Sequence, residues 1–187
     1  MIHSVKILHI LFLISGLLLF SCGDDKTTSN NDQTGDSLLP HHMIVDLSPY
    51  GFLATIQIPD TTIGLPELNE TNWGALEIRV GRNYGISIQS GEGNMELLKK
   101  DLKEDIVFTN EIIAETPNSI IYKKTIKNTD IKPLYHFFYF DTIDGYIVEI
   151  KSLELEEYTL KDVEKMLESA KTLKEKKRIS ENKPLQQ

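Results

Sequence analysis

The chain has 187 residues, 40% apolar and 26% charged, with a net charge of −8 and an isoelectric point near 5.1. Its single cysteine excludes an internal disulfide and a cysteine-based zinc site, and the acidic balance argues against a nucleic-acid module, which needs a basic face to meet phosphates. The length suits one domain of ordinary size, or one domain with a tail.

The first residues differ in kind from the rest. His3 and Lys6 form a short polar start, and Ile7 to Phe20 then run almost unbroken as apolar residues. That length suits the hydrophobic region of a secretory leader, whereas a membrane-spanning helix needs about 20 residues. Leu19-Phe20-Ser21-Cys22 follows.

This tetrapeptide resembles the lipobox of bacterial lipoproteins, with Leu three residues before the Cys and a small residue directly before it. Phe20 is bulkier than the family's usual residue at that place. The resemblance implies that residues 1–21 are a cleaved signal peptide and that Cys22 is acylated on its sulfur and its new amino terminus. Two or three acyl chains anchor stably where one does not, at about 0.8 kcal/mol per buried CH₂. Gly23 replaces the Asp that commonly retains lipoproteins at the inner membrane, and Asp24-Asp25-Lys26 resembles a short acidic signal for display on the cell surface. The implied location is the outer membrane, with the cell surface preferred over the periplasmic face.

Residues 22–40 form the anchor and a tether. Asp, Asn, Thr, Ser, Gly and Gln dominate, and Leu38 and Leu39 are the only large apolar residues after Cys22. Such a stretch buries too little to offset its ordering entropy, and its reach is about 20–25 Å.

Residues 41–177 read as a single α+β domain. A short strand over Met43 to Leu47 leads through Ser48-Pro49-Tyr50-Gly51 to a second, with Phe52, Ala54, Ile56 and Ile58 on its inner face and Pro59 at its end. Residues 60–74 read as a long connection broken by Gly64, Pro66 and Gly74. Next, Leu76-Ile78-Val80 and Tyr84-Ile86-Ile88 fit a hairpin around Gly81-Arg82-Asn83 that pairs Val80 with Tyr84 and Ile78 with Ile86. Gly91-Glu92-Gly93 reads as an ordinary flexible connection, since Glu92 would repel an anion at the helix start. Asn94 then caps a helix with Met95, Leu98, Leu102 and Ile106 on one side.

Thr116-Pro117-Asn118-Ser119 turns the chain between strands 111–115 and 119–126, setting Glu111 across from Lys124. The last hairpin admits two registers. A two-residue Asp144-Gly145 turn pairs Phe140 with Glu149 and Phe138 with Lys151. A three-residue Ile143-Asp144-Gly145 loop pairs Phe140 with Val148 and Phe138 with Ile150, which segregates apolar from charged residues and is preferred for that reason. A closing helix over about 160–176 is capped by Thr159 with Asp162, carries Leu160, Val163, Leu167, Ala170 and Leu173 inward, and gathers Lys171, Lys174, Lys176 and Lys177 at its C-terminal end, where the dipole favours cations. Residues 178–187 should fray.

The expected architecture is a largely antiparallel sheet built from hairpins and covered by two amphipathic helices. Tyr50-Gly51-Phe52 leading to Ile56-Gln57-Ile58-Pro59, the late aromatic hairpin, and the helix Val163 to Leu173 with Ser169-Ala170 resemble the PsbP/Mog-type α-β-α sandwich of photosystem extrinsic proteins and some small bacterial lipoproteins. That likeness implies a fold and no ligand.

Chemistry-bearing residues are few. His41-His42 forms an exposed pair with no third ligand in sequence, and no metal or cofactor is expected. His136 shares a strand face with Phe138 and Phe140 and reads as a satisfied histidine at the core's edge. In Tyr135 to Phe140 the parity of Phe138 and Phe140 belongs inside. Tyr135, Phe137 and Tyr139 form a possible interaction surface if exposed, with coverage by a helix or by the connection around Trp73 preferred. The expected function is a non-enzymatic binding or accessory domain that meets the bilayer through Cys22 and an envelope protein or small ligand through its sheet and loops. The alternative is a small enzyme combining His136 with Asp141 or Glu149.

Overall fold

The structure, a computed structural model, describes residues 37–126 and 129–176. The leader, Cys22, most of the tether and the C-terminal stretch from residue 177 lie outside the described residues. In chain order the elements are β1 (His42–Asp46), β2 (Ala54–Pro59), β3 (Pro66–Glu70), β4 (Leu76–Val80), β5 (Tyr84–Ser90), α1 (Met95–Glu104), β6 (Phe108–Thr116), β7 (Ser119–Ile126), β8 (Leu134–Ile143), β9 (Tyr146–Ser152), α2 (Leu160–Ala170) and β10 (Lys174–Glu175). Seven strands form one sheet in the order β3-β4-β5-β9-β8-β7-β6, and β1-β2-β10 form a second. Every pairing is antiparallel. The fold is therefore α+β and mostly sheet.

The β4–β5 hairpin keeps the expected register, Val80 opposite Tyr84 and Ile78 opposite Ile86. Residues 60–74 are not a bare connection. Pro66–Glu70 pairs with β4 as an edge strand, where the missing Pro N–H can be tolerated.

The β8–β9 hairpin takes the register that apolar segregation disfavoured: Phe140 faces Glu149 and Phe138 faces Lys151. Asp144 and Gly145 both have positive φ, 50° and 80°, as a two-residue type I′ turn requires. Segregating apolar from charged residues presupposes one wet face, but both faces of β8 are covered. Phe137 and Tyr139 enter the main core, and Phe138 a smaller one on the opposite side.

The β6–β7 turn falls at Pro117-Asn118 as expected, yet a bulge at Ile113 shifts the register beyond it. Glu111 consequently meets Lys123 rather than Lys124, and the two form an ion pair. One extra residue on a strand moves every later pair by one.

The two helices lie on opposite faces of the large sheet, by the alternation of the strands they touch. On one side α2 buries Val163, Met166, Leu167 and Ala170 in a single core shared with the small sheet and with β4, β5, β8 and β9. On the other, Met95 of α1 packs with Ile120, Tyr122 and Phe138, flanked by Leu98, Leu102 and Phe140. Asn94 caps α1 by accepting from the Leu97 N–H at 2.9 Å, but the helix ends at Glu104. The Asp105 carboxylate accepts from the Val107 and Phe108 N–H groups, turning the chain so that Ile106 stands 98% exposed rather than on the buried stripe.

Thr159 and Asp162 form the expected capping box of α2, but this helix too is shorter than its periodicity suggested. Thr172 donates to the Ser169 carbonyl at 2.6 Å and accepts from the Gln57 N–H at 2.8 Å. Lys174 and Glu175 then pair with β2. An unpaired strand edge outcompetes one more helical turn because its N–H and C=O groups need partners. Lys176 reaches Asp46 at 2.6 Å, and this contact, with Ser48, lowers the Asp46 carboxyl to about 2. The body takes hold of the chain at Leu39, whose N–H meets the Gln57 side chain at 2.7 Å, slightly ahead of the expected start at residue 41.

Candidate functional site

Helix α1 covers only the β6–β8 end of its face. At the other end β4, β5 and β9 present Glu77, Arg79, Ser87, Gln89 and Lys151, which strand alternation and pairing place on the same side as Phe138. This uncovered half is the floor of a groove of about 250 Å³ whose lining includes Trp73 and residues 151–156. Arg79, Leu155 and Glu156 also border a second hollow of about 520 Å³, which continues past Arg82, Asn83 and Tyr158.

Each wall is held by its own local structure. The β3–β4 turn is closed by Thr71, whose N–H donates to the Ala75 carbonyl while its hydroxyl accepts from the Ala75 N–H. Gly74 at φ 84° completes the turn. This frame carries Trp73 outward, 75% exposed. The opposite wall is pinned at both ends by the buried side chains of Leu153 and Tyr158, and both occupy the space beside Gly85 that a Cβ there would need. Leu155 between them is 99% exposed.

The floor's charges compensate one another. Arg79 bonds Glu77 at 2.8 Å and lies 3.7 Å from Glu156. Lys151 lies 3.4 Å from Glu154. Gln89 donates to Glu149 at 3.1 Å, and the other Glu149 oxygen accepts from the Glu92 and Gly93 N–H groups, each at 3.0 Å. Gly91-Glu92-Gly93 is thus more than a flexible connection: its free amides hold an anion supplied by β9. A Cβ at Gly91 would displace the Glu149 carboxylate from this position.

The residues singled out from sequence fall elsewhere. Phe137 is fully buried and Tyr139 is 4% exposed, while Tyr135 is half-buried against the same core. Phe137 and Tyr139 are thus covered rather than exposed, with α2 packed over β8 as the preferred alternative has it. Trp73 has no part in covering them. His136 is buried, with Nδ1 3.0 Å from the Ser152 hydroxyl and its ring tilted against Tyr122 at 5.7 Å. Burial, with Lys124 adding to it and Glu154 opposing, lowers its pKa to about 4. Asp141 accepts from the Tyr139 hydroxyl and the Thr142 N–H, and Glu149 is engaged as described, so neither carboxylate is a hydrogen-bond partner of His136.

His42 Nδ1 lies 2.7 Å from the Pro40 carbonyl, and both His41 and His42 border a hollow of about 310 Å³ that also touches Asn83 and Asp162. Among the described residues no group of three or more His, Cys, Asp or Glu side chains is placed to hold a metal ion, and no helix is long and apolar enough to cross a membrane. Trp73 and Arg79 were missed as site residues. The available signal was the chain's only tryptophan standing in a Thr-Asn-Trp-Gly turn, where a large apolar ring has nothing to pack against. Comparisons with protein-family models, with curated proteins and with solved structures return no match.

Proposed function

We propose that this chain is a lipid-anchored binding or accessory domain of the bacterial outer membrane, held through acylated Cys22 and facing an envelope component or small ligand with the groove beneath Trp73. The lipobox-like Leu19-Phe20-Ser21-Cys22 at the end of an apolar run carries the reading. Gly23 and Asp24-Asp25-Lys26 favour the cell surface over the periplasmic face. The groove supports the binding half, because it is a concave site in which the exposed Trp73 and Leu155 stand beside polar groups of the sheet. The likeness to the PsbP/Mog-type sandwich is part of the proposal and rests on residues 50–59, the late aromatic hairpin and the closing helix. The enzyme reading has less support, since His136 meets Ser152 rather than a carboxylate.

Substituting Cys22→Ala and fractionating cells tests the anchor. The parent protein should sediment with the outer membrane and incorporate labelled palmitate, whereas the variant should do neither. Membrane retention of the variant's mature domain would overturn the reading.

A further inference from the structure

We propose that the groove binds a neutral oligosaccharide, with the apolar face of one sugar ring stacked on Trp73. This deepens the reading of the groove as a ligand site and is independent of the anchor. The indole contributes little to the fold, being 75% exposed, and the hydrogen-bonded turn fixes the backbone from which it projects. An exposed indole on a fixed turn suits a ligand that is apolar on one side, because the ring's electron-rich face attracts the weakly positive C–H groups of a pyranose. Leu155 offers a second apolar contact in the same groove.

The floor selects against an anionic ligand. Arg79 is shared by Glu77 and Glu156, and Lys151 lies against Glu154, so neither cation of the lining is left to hold an anion, and three carboxylates stand against two cations. What remains is hydrogen-bonding capacity: the further N–H groups of the Arg79 guanidinium, the Ser87 hydroxyl and the Gln89 carbonyl. Sugar hydroxyls both donate and accept, and so complement this mixture. The larger hollow shares Arg79, Leu155 and Glu156 with the groove, which gives neighbouring room for a chain of sugars rather than a single one.

Because Trp73 is the only tryptophan in the chain, its emission reports this groove alone. The purified full-length protein would be titrated with malto-, cello-, manno-, xylo- and N-acetylglucosamine oligosaccharides. At least one should give a saturable change with Kd below about 1 mM. By calorimetry Trp73→Ala should weaken that binding at least about tenfold, Trp73→Tyr should restore most of it, and both variants should melt with the parent. The proposal is overturned if no neutral saccharide gives a saturable change, if Trp73→Ala binds as the parent does, or if polygalacturonate or a cationic peptide quenches Trp73 while neutral sugars neither bind nor compete. Any of these results leaves the Cys22 fractionation test untouched, and failure of that test leaves sugar binding to be read as before.

Discussion

His136 is neutral at physiological pH because its ring is buried between Tyr122 and Ser152. Its pKa in the folded protein, about 4, lies below the ordinary 6.5. Between these values the unfolded chain binds a proton that the folded chain refuses, so stability falls as pH drops through that window, by up to about 3 kcal/mol. Urea unfolding of His136→Gln should show a flatter dependence than the parent between pH 6.5 and pH 4. Tyr84 and Ser169 form a second buried polar pair, 2.7 Å apart, and Ser169 in turn donates to the Gln57 carbonyl. Desolvation raises the Tyr84 pKa well above the normal range. Ser169→Ala leaves both the hydroxyl and the carbonyl without this partner and should cost about 1–3 kcal/mol, whereas Tyr84→Phe, which removes only one end of the chain, should cost about 1 kcal/mol. Equilibrium urea titration separates the two.

At the scale of elements, turn chemistry settles what side-chain patterning leaves ambiguous. Asp144-Gly145 accepts positive φ at both positions, and that local preference sets the β8–β9 register even though it places Phe138 beside Lys151 and Phe140 beside Glu149. Gly145→Ala should therefore destabilise the protein by about 1–2 kcal/mol, read as a lower urea midpoint. The equivalent change at Gly85 acts by another mechanism: its added methyl would strike Tyr158 and Leu153 and dislodge the groove wall. The β4–β5 register and both helix N-caps were legible in the sequence because their determinants are near neighbours: Gly81 at the hairpin, Asn94 at one helix, Thr159 with Asp162 at the other. The Ile113 bulge and the edge strand β3 were not. A bulge adds one residue without a composition signal, and an edge strand alternates too weakly to stand out from a loop.

At the scale of the whole molecule, the stretch after α2 joins the last described residues to the small sheet formed by the first strands. Thr172 satisfies the Gln57 amide, Leu173 enters the core, and Lys174 and Glu175 pair with β2. A chain ending at Lys171 should lose at least about 2–5 kcal/mol through Leu173 alone, visible as a lowered melting temperature. The sequence by itself determined the α+β class, most strands, the helix starts, and the cysteine on which the anchor proposal stands. Each depends on residue periodicity or on neighbours a few positions apart. Tertiary structure decided where helices end, which aromatic residues are covered, and which half of the large sheet is left open. Those outcomes depend on what packs against an element from far along the chain. Thus α2 buries Phe137 and Tyr139, while α1 leaves the floor beneath Trp73 uncovered.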